Sequence, residues 1–211
     1  MKKVIKKLMG KIPIFKDYFN IVKTKIPINL KQYLKYKTFN RNKKIYWPVH
    51  KNSIVNGNVE IGINSSVGAT PGCYIQGIGK VKVGDYTLLA PNVGIISANH
   101  DLYDYRKHIK KEVLIGDYCW IGMNSVILPG VKLGNHTIVA ANSVVTKSFS
   151  DGYCVLGGNP AKIIKKLNKE ECTDYRDEEE YTDYRDEEEY YGYIPKDKFK
   201  RYKDKYLNNI G

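Results

Sequence analysis

The chain has 211 residues, of which 42% are hydrophobic and 27% charged, with a formal net charge of +13. It is long enough for one domain with a substantial core, too short for two large ones, and too apolar to be disordered throughout. Four scattered cysteines (Cys73, Cys119, Cys154 and Cys172) contain no CxxC pair, which excludes a disulfide scaffold, so they read as reduced thiols. No apolar run approaches the ~20 residues of a membrane span, and no signal-like apolar core with a small-residue cleavage site follows the N-terminal lysines. A cytoplasmic protein is the expectation.

Residues 1–45 carry fourteen Lys/Arg against one acid, Asp17, interleaved with apolar residues such as Val4, Ile5, Leu8, Ile14 and Phe15. This is a basic amphipathic extension. It suits packing against the rest of the protein with its lysines solvated, or peripheral contact with an anionic membrane. No nucleic-acid recognition motif accompanies the positive charge, so nucleic acid is not an expected partner.

A six-residue period governs the middle of the chain. From Ile115 it reads IGDYCW, IGMNSV, ILPGVK, LGNHTI, VAANSV and VTKSFS, and earlier hexads begin at Ile61, Val67, Val83, Leu89 and Ile95. Each hexad opens on Ile, Leu or Val. Gly or Ala follows in most, and the fifth position is small or modest, as at Ser65, Thr87, Cys119, Ser125 and Ser143. This spacing fits neither a 3.6-residue helix nor a hairpin meander. It fits short strands separated by corners, three hexads to a coil, with stacked coils pairing as parallel strands about 4.8 Å apart. Gly and Ala relieve crowding at the corners. Asn64, Asp85, Asn92, Asp117, Asn124, Asn135 and Asn142 are expected to supply left-handed turn conformations. The β-helix is expected over 46–167.

The hexads stop at His100 and resume out of phase at Ile115, so residues 101–114 are expected to leave the coil as a loop. Function concentrates in loops on rigid scaffolds. His100 stands at the departure point, where an imidazole can take a proton from an attacking hydroxyl. Its neighbours Asn99 and Asp101 are candidate acceptor-binding residues, Asp101 with an alternative role in orienting the ring. His108 reads as a solvated loop residue, with lining of the acceptor pocket as the alternative, His136 as an exposed turn residue and His50 as structural. No three histidines converge, so no metal is expected.

The stretches SSVGATPGCYIQG (65–77), APNVGIISANHD (90–101), CWIGMNSVILPGVKLG (119–134), AANSVVTKSF (140–149) and GGNPAKIIKK (157–166) resemble the hexapeptide-repeat acyltransferase superfamily. Within it they look most like the O-acetyltransferases of capsule and surface-polysaccharide loci. The resemblance implies an all-β chain built as a left-handed parallel β-helix, with helical extensions at both ends. It implies acetyl-CoA as acyl donor and His100 as catalytic base. It also implies a homotrimer whose sites lie between the β-helices of neighbouring chains. On the donor side it carries over Trp120, which the hexads put at an outward-facing corner, with Ala140, Ala141, Thr146, Lys147 and Lys162. Many members have Gly-Ala-Gly-Ser where this chain has Ala140-Ala141-Asn142-Ser143, which weakens the match at Asn142.

The C-terminal extension, 168–211, contains TDYRDEEEY at 173–181 and again at 182–190, an acidic tract that reads as solvated. The function expected from the whole is acetyl transfer from acetyl-CoA to a sugar hydroxyl in surface or capsular polysaccharide synthesis. The alternatives are N-acetylation of a nucleotide-linked amino sugar and a non-catalytic structural β-helix.

Overall fold

The structure, a computed structural model, describes residues 18, 29–31, 33–34, 47, 49–62 and 64–174. The basic extension is described at a few positions only, and nearly all of the duplicated acidic tract lies outside the described residues. The chain divides into two units, Met1–Pro48 with Glu178–Gly211, and Val49–Asp177. In the first, the Tyr33 N–H donates to the Asn29 carbonyl at 2.9 Å, which closes one helical turn. The Tyr18 and Tyr33 rings lie 5.6 Å apart, and Tyr33 and Trp47 are buried. No helix among the described residues is long and apolar enough to cross a membrane.

The second unit is a parallel β-helix. Its strands are β1 (Ile54–Ile61), β2 (Tyr74–Val83), β3 (Leu88–Leu89), β4 (Gly94–Ile96), β5 (Ala98–His100), β6 (His108–Lys110) and β7 (Val113–Ile115). They continue as β8 (Trp120–Ile121), β9 (Val126–Ile127), β10 (Lys132–Leu133), β11 (Thr137–Val139), β12 (Val144–Val145), β13 (Cys154–Gly158) and β14 (Ala161–Lys166). The coil has three faces. On the first, β2, β7 and β10 stack in parallel, and β1 joins them through its second half. The second face stacks β3, β8, β11 and β13, with β14 turning back antiparallel on β13. The third stacks the first halves of β1 and β2 with β4, β9 and β12. β1 and β2 each run along two faces.

The period comes from side-chain stacking. Ile115 pairs with Leu133, Ile121 with Val139, and Ile127 with Val145, in each case three hexads on. All six are buried, and each is worth about 1.5–3 kcal/mol of apolar burial. The residue two positions earlier also faces inward and is small, as Cys119, Ser125 and Thr137 show. Earlier in the chain the spacing stretches. Ile75 pairs with Ile95, and Ile61 with Val83, each somewhat more than three hexads on, because short insertions follow Val67 and Gln76.

The corners divide the turn chemistry differently from the sequence reading. Asn64, Asn92, Asn124 and Asn142 take positive φ, as expected. Asp85, Asp117 and Asn135 do not, and the side-chain oxygens of Asp117 and Asn135 serve the backbone instead. The Asp117 Oδ1 accepts the Asp85 N–H at 2.7 Å, and the Asn135 Oδ1 accepts the Asp117 N–H at 2.9 Å. The left-handed residue at this corner is the next one along: Tyr86 (φ 54°), Tyr118 (54°), His136 (52°) and, on the next coil, Tyr153 (46°). Their rings stack coil upon coil at 5.2, 5.0 and 5.1 Å, a contact that offsets the cost of left-handed geometry at a residue with a Cβ. His136 is therefore part of a stacked column. Its Nε2 lies 3.1 Å from Asp174 Oδ1, and the Lys169 ammonium sits 4.8 Å from the Tyr153 ring centroid.

Gly116 shows how tight the corner is. A Cβ there would stand 2.5 Å from Asn135 Oδ1 and 2.7 Å from the Asn135 backbone nitrogen. Gly116→Ala is expected to lower stability by about 1–3 kcal/mol, since relief requires the next coil to move. Thermal denaturation of the variant beside wild type checks this.

Candidate active site

The third corner, between the third face and the first, is closed tightly in one coil. There the Val131 N–H donates to the Leu128 carbonyl at 3.3 Å. One coil earlier the same corner opens. Leu89 pairs with Ile121, and Ile95 with Ile127, so that coil carries more than two hexads' length of chain beyond the usual three. Most of the excess forms an antiparallel hairpin, β5 with β6.

Ser97 and Gln76 anchor its base. The Ser97 hydroxyl donates to the Gln76 carbonyl at 2.6 Å and accepts the Gly79 N–H at 2.9 Å. The Gln76 Oε1 accepts the Ala98 N–H at 3.0 Å, and the Ser97 carbonyl accepts the Lys111 N–H at 2.8 Å. The excursion thus runs from 98 to 110, earlier at both ends than the 101–114 expected. Val113 and Ile115 are already buried coil residues of β7.

His100 ends β5 and is exposed. Its Nδ1 is hydrogen-bonded to the Tyr105 carbonyl across the hairpin turn. A carbonyl only accepts, so Nδ1 carries a proton, and in the neutral ring Nε2 presents a lone pair. Nε2 has no hydrogen-bond partner among the described residues. The ring of His108 lies against that of His100, with centroids 4.5 Å apart. Sequence reasoning placed His108 in the excursion but did not set it against His100, because the long turn between β5 and β6 carries no short hairpin signature that would put 100 opposite 108.

No hydrogen bond joins Asp101 to His100 among the described residues. The Asp101 Oδ1 accepts the N–H groups of Tyr103 and Asp104, both at 2.9 Å, and these bonds hold its carboxyl below the usual range. Asp104 in turn receives the Arg106 guanidinium, Nε to Oδ1 at 2.8 Å. The turn is thereby ordered from within and leaves Leu102, Tyr103 and Tyr105 largely exposed. Asn99 lies opposite Ile109 and points away from His100's side of the strand.

The expected donor-side residues fall into two groups. Trp120 is exposed on β8, within the second face and not at a corner as its position suggested. Ala140 and Ala141 open the corner after that face, packed beside Gly122. Lys162, on β14, pairs with Gly157 at the same edge, where the Gly158 N–H donates to the Ser143 hydroxyl at 3.2 Å. Asn142 fills its glycine-like position at φ 59°, which asparagine tolerates. Thr146 and Lys147 belong elsewhere. They leave the third face at the same corner as His100, two strand spacings or about 10 Å along the axis. The Lys147 ammonium lies 5.7 Å from the Phe149 ring. One chain therefore carries His100, Thr146 and Lys147 on one edge of the third face, and Ala140, Ala141 and Lys162 by its other edge.

The interior thiols are unsuited to nucleophilic chemistry. Burial pushes Cys119 up to about 12, and it raises Cys154 as well. Among the described residues no group of three or more His, Cys, Asp or Glu is placed to hold a metal ion.

Residues 112–147 match the family described as bacterial transferase hexapeptide (six repeats). A galactoside O-acetyltransferase of Lactococcus lactis subsp. lactis (strain IL1403) is 34% identical over 99 residues, which cover 45% of this chain and 47% of that protein. The chain spans about half the length of the first curated relatives it matches. Among solved structures, a maltose O-acetyltransferase from Clostridium difficile 630 is 26% identical with a TM-score of 0.50, covering 77% of this chain and 89% of that one. A hexapeptide-repeat acetyltransferase of Vibrio cholerae O1 biovar eltor, complexed with acetyl coenzyme A, is 26% identical with a TM-score of 0.53 and covers 77% and 88%.

The Asp101 carboxylate makes order at the hairpin turn depend on pH. A carboxyl held below its unfolded value contributes stability above that value and loses it as pH falls through the folded one. The Tyr103 and Asp104 amides are expected to lose exchange protection as the solution is acidified below the ordinary aspartate range, while Ile121 in the coil keeps its protection. Hydrogen exchange followed by NMR reads both.

Proposed function

The chain carries the bacterial transferase hexapeptide repeat on a parallel β-helix, and from that premise we propose that it is an acetyl-CoA-dependent acetyltransferase acting on a sugar hydroxyl, with His100 as general base. The observation that carries this reading is the His100 tautomer. Nδ1 is committed to the Tyr105 carbonyl, so Nε2 is left as an exposed proton acceptor on a hairpin anchored to a rigid coil. The acceptor hydroxyl gives its proton to Nε2 as its oxygen attacks the thioester carbonyl. Collapse of the tetrahedral species expels the coenzyme A thiolate, and the proton held on His100 can return to it. No acyl-enzyme is needed, and the buried thiols are in keeping with that.

The division of donor-side residues between two edges favours assembly of the site from two copies, one presenting His100 with Thr146 and Lys147, the other Ala140, Ala141 and Lys162. The outward residues of the faces fit such an assembly. Leu88, Trp120, Ile138 and Val155 form an apolar row on the second face, and Tyr74, Gly94, Val126 and Val144 do so on the third. The first face instead presents Glu60, Lys82 and Lys132 beside Leu114. We therefore assign a homotrimer, for which sedimentation equilibrium should return three times the 24.2 kDa chain mass. A monomeric mass would remove the shared-site arrangement.

The sugar class draws support from the galactoside and maltose O-acetyltransferases among the similar proteins. The role in surface or capsular polysaccharide synthesis rests on the sequence resemblance. Release of coenzyme A from acetyl-CoA, measured with a panel of hydroxyl and amino sugars, tests the reading. Turnover should require a hydroxyl sugar and fall about 10²–10⁴-fold in His100→Ala. Preference for amino sugars would move the assignment to N-acetylation, and undiminished turnover in His100→Ala would remove the base.

A further inference from the structure

His108 stands opposite His100 for a reason written into the hairpin register. The Asp101 N–H donates to the Lys107 carbonyl at 2.9 Å, which marks 101 and 107 as a hydrogen-bonded pair. The pair one step further in, His100 and His108, is then the non-hydrogen-bonded kind, in which facing side chains approach closest. Their ring centroids lie 4.5 Å apart with the planes inclined at 43°. Among the described residues, His108 is the one ring packed on His100.

An exposed imidazole ordinarily turns about both side-chain torsions, and water competes for each ring nitrogen. Here the Nδ1 bond to the Tyr105 carbonyl must persist on an open hairpin, since without it the ring also samples the tautomer whose proton sits on Nε2. A second flat ring against the first restricts rotation about χ2. We propose that His108 is a positioning residue: by packing on His100 it keeps the Nδ1–H···O=C bond to Tyr105 made and Nε2 unprotonated toward the acceptor. The catalytic consequence rests on the acetyltransferase reading, but the tautomer itself does not.

The test uses the full chain, wild type beside His108→Ala and His108→Phe. Phenylalanine keeps a flat ring at the site, while alanine removes it. Side-chain ¹⁵N spectra of the neutral imidazole should show His100 as the Nδ1–H tautomer in wild type and His108→Phe, and as a mixture with the Nε2–H form in His108→Ala. In turnover, His108→Ala should lose at least about tenfold in kcat with the KM for acetyl-CoA within about twofold, and His108→Phe should recover most of the rate. An unchanged His100 tautomer in His108→Ala overturns the proposal, whether or not any acceptor is turned over. A phenylalanine variant as impaired as the alanine one also overturns it, because the imidazole of His108 would then be needed for more than packing. If the tautomer changes as expected while no sugar supports turnover, the positioning role stands and the acetyltransferase reading fails alone.

Discussion

Each aliphatic side chain inside the coil rests on its equivalent one strand spacing away, and that contact sets the geometry of everything outside it. Ile115 over Leu133, Ile121 over Val139 and Ile127 over Val145 can stack only if three hexads close one coil. The small residue two positions earlier, as at Cys119, Ser125 and Thr137, leaves room for three sides to converge on a narrow axis. Because the inward positions are fixed, the outward ones are free to differ from face to face, and they do. Charge gathers on one face and apolar surface on the other two.

The corners are held by a second set of contacts running along the axis. Asn92, Asn124 and Asn142 pass amide hydrogen bonds from coil to coil at 3.1 Å. Asp117 and Asn135 cap backbone N–H groups of the neighbouring coil, and the rings of Tyr86, Tyr118, His136 and Tyr153 stack. Each corner thus satisfies polar groups that a sharp turn would otherwise leave unpaired. A fixed corner also gives the hairpin a firm base, since Ser97 and Gln76 are bonded to each other and accept the Ala98 and Lys111 N–H groups at the point where it departs. The position of His100 depends on that grip.

Much of this was legible in the residues. The hexads from Ile115 give the coil directly, because one aliphatic and one small residue recur side after side. His100 is marked by the halt in the repeat. The limits of the excursion were harder to read. Val113-Leu114-Ile115 looks like the tail of a charged loop until its alternation is matched to Val81-Lys82-Val83, with which it pairs. The turn residues were misassigned for a related reason. Asp117 and Asn135 have side chains well suited to left-handed turns, yet theirs are spent on a neighbouring coil that a local reading does not contain. Trp120 was placed at a corner, although it follows the Asp117–Tyr118 turn and begins a strand. The pairing of His108 with His100 depends on hairpin register, which so long a turn does not announce.

The hairpin leaves and re-enters the coil at one level, with the Ser97 carbonyl bonded to the Lys111 N–H across its neck. The next coil turns the same corner through Leu128–Val131 alone. Lengthening, shortening or exchanging the segment beyond that neck therefore leaves the inward stack untouched. In evolutionary terms the coil and the turn of the hairpin are separately heritable. A lineage can alter the turn between His100 and His108 without putting the folding of the remainder at stake.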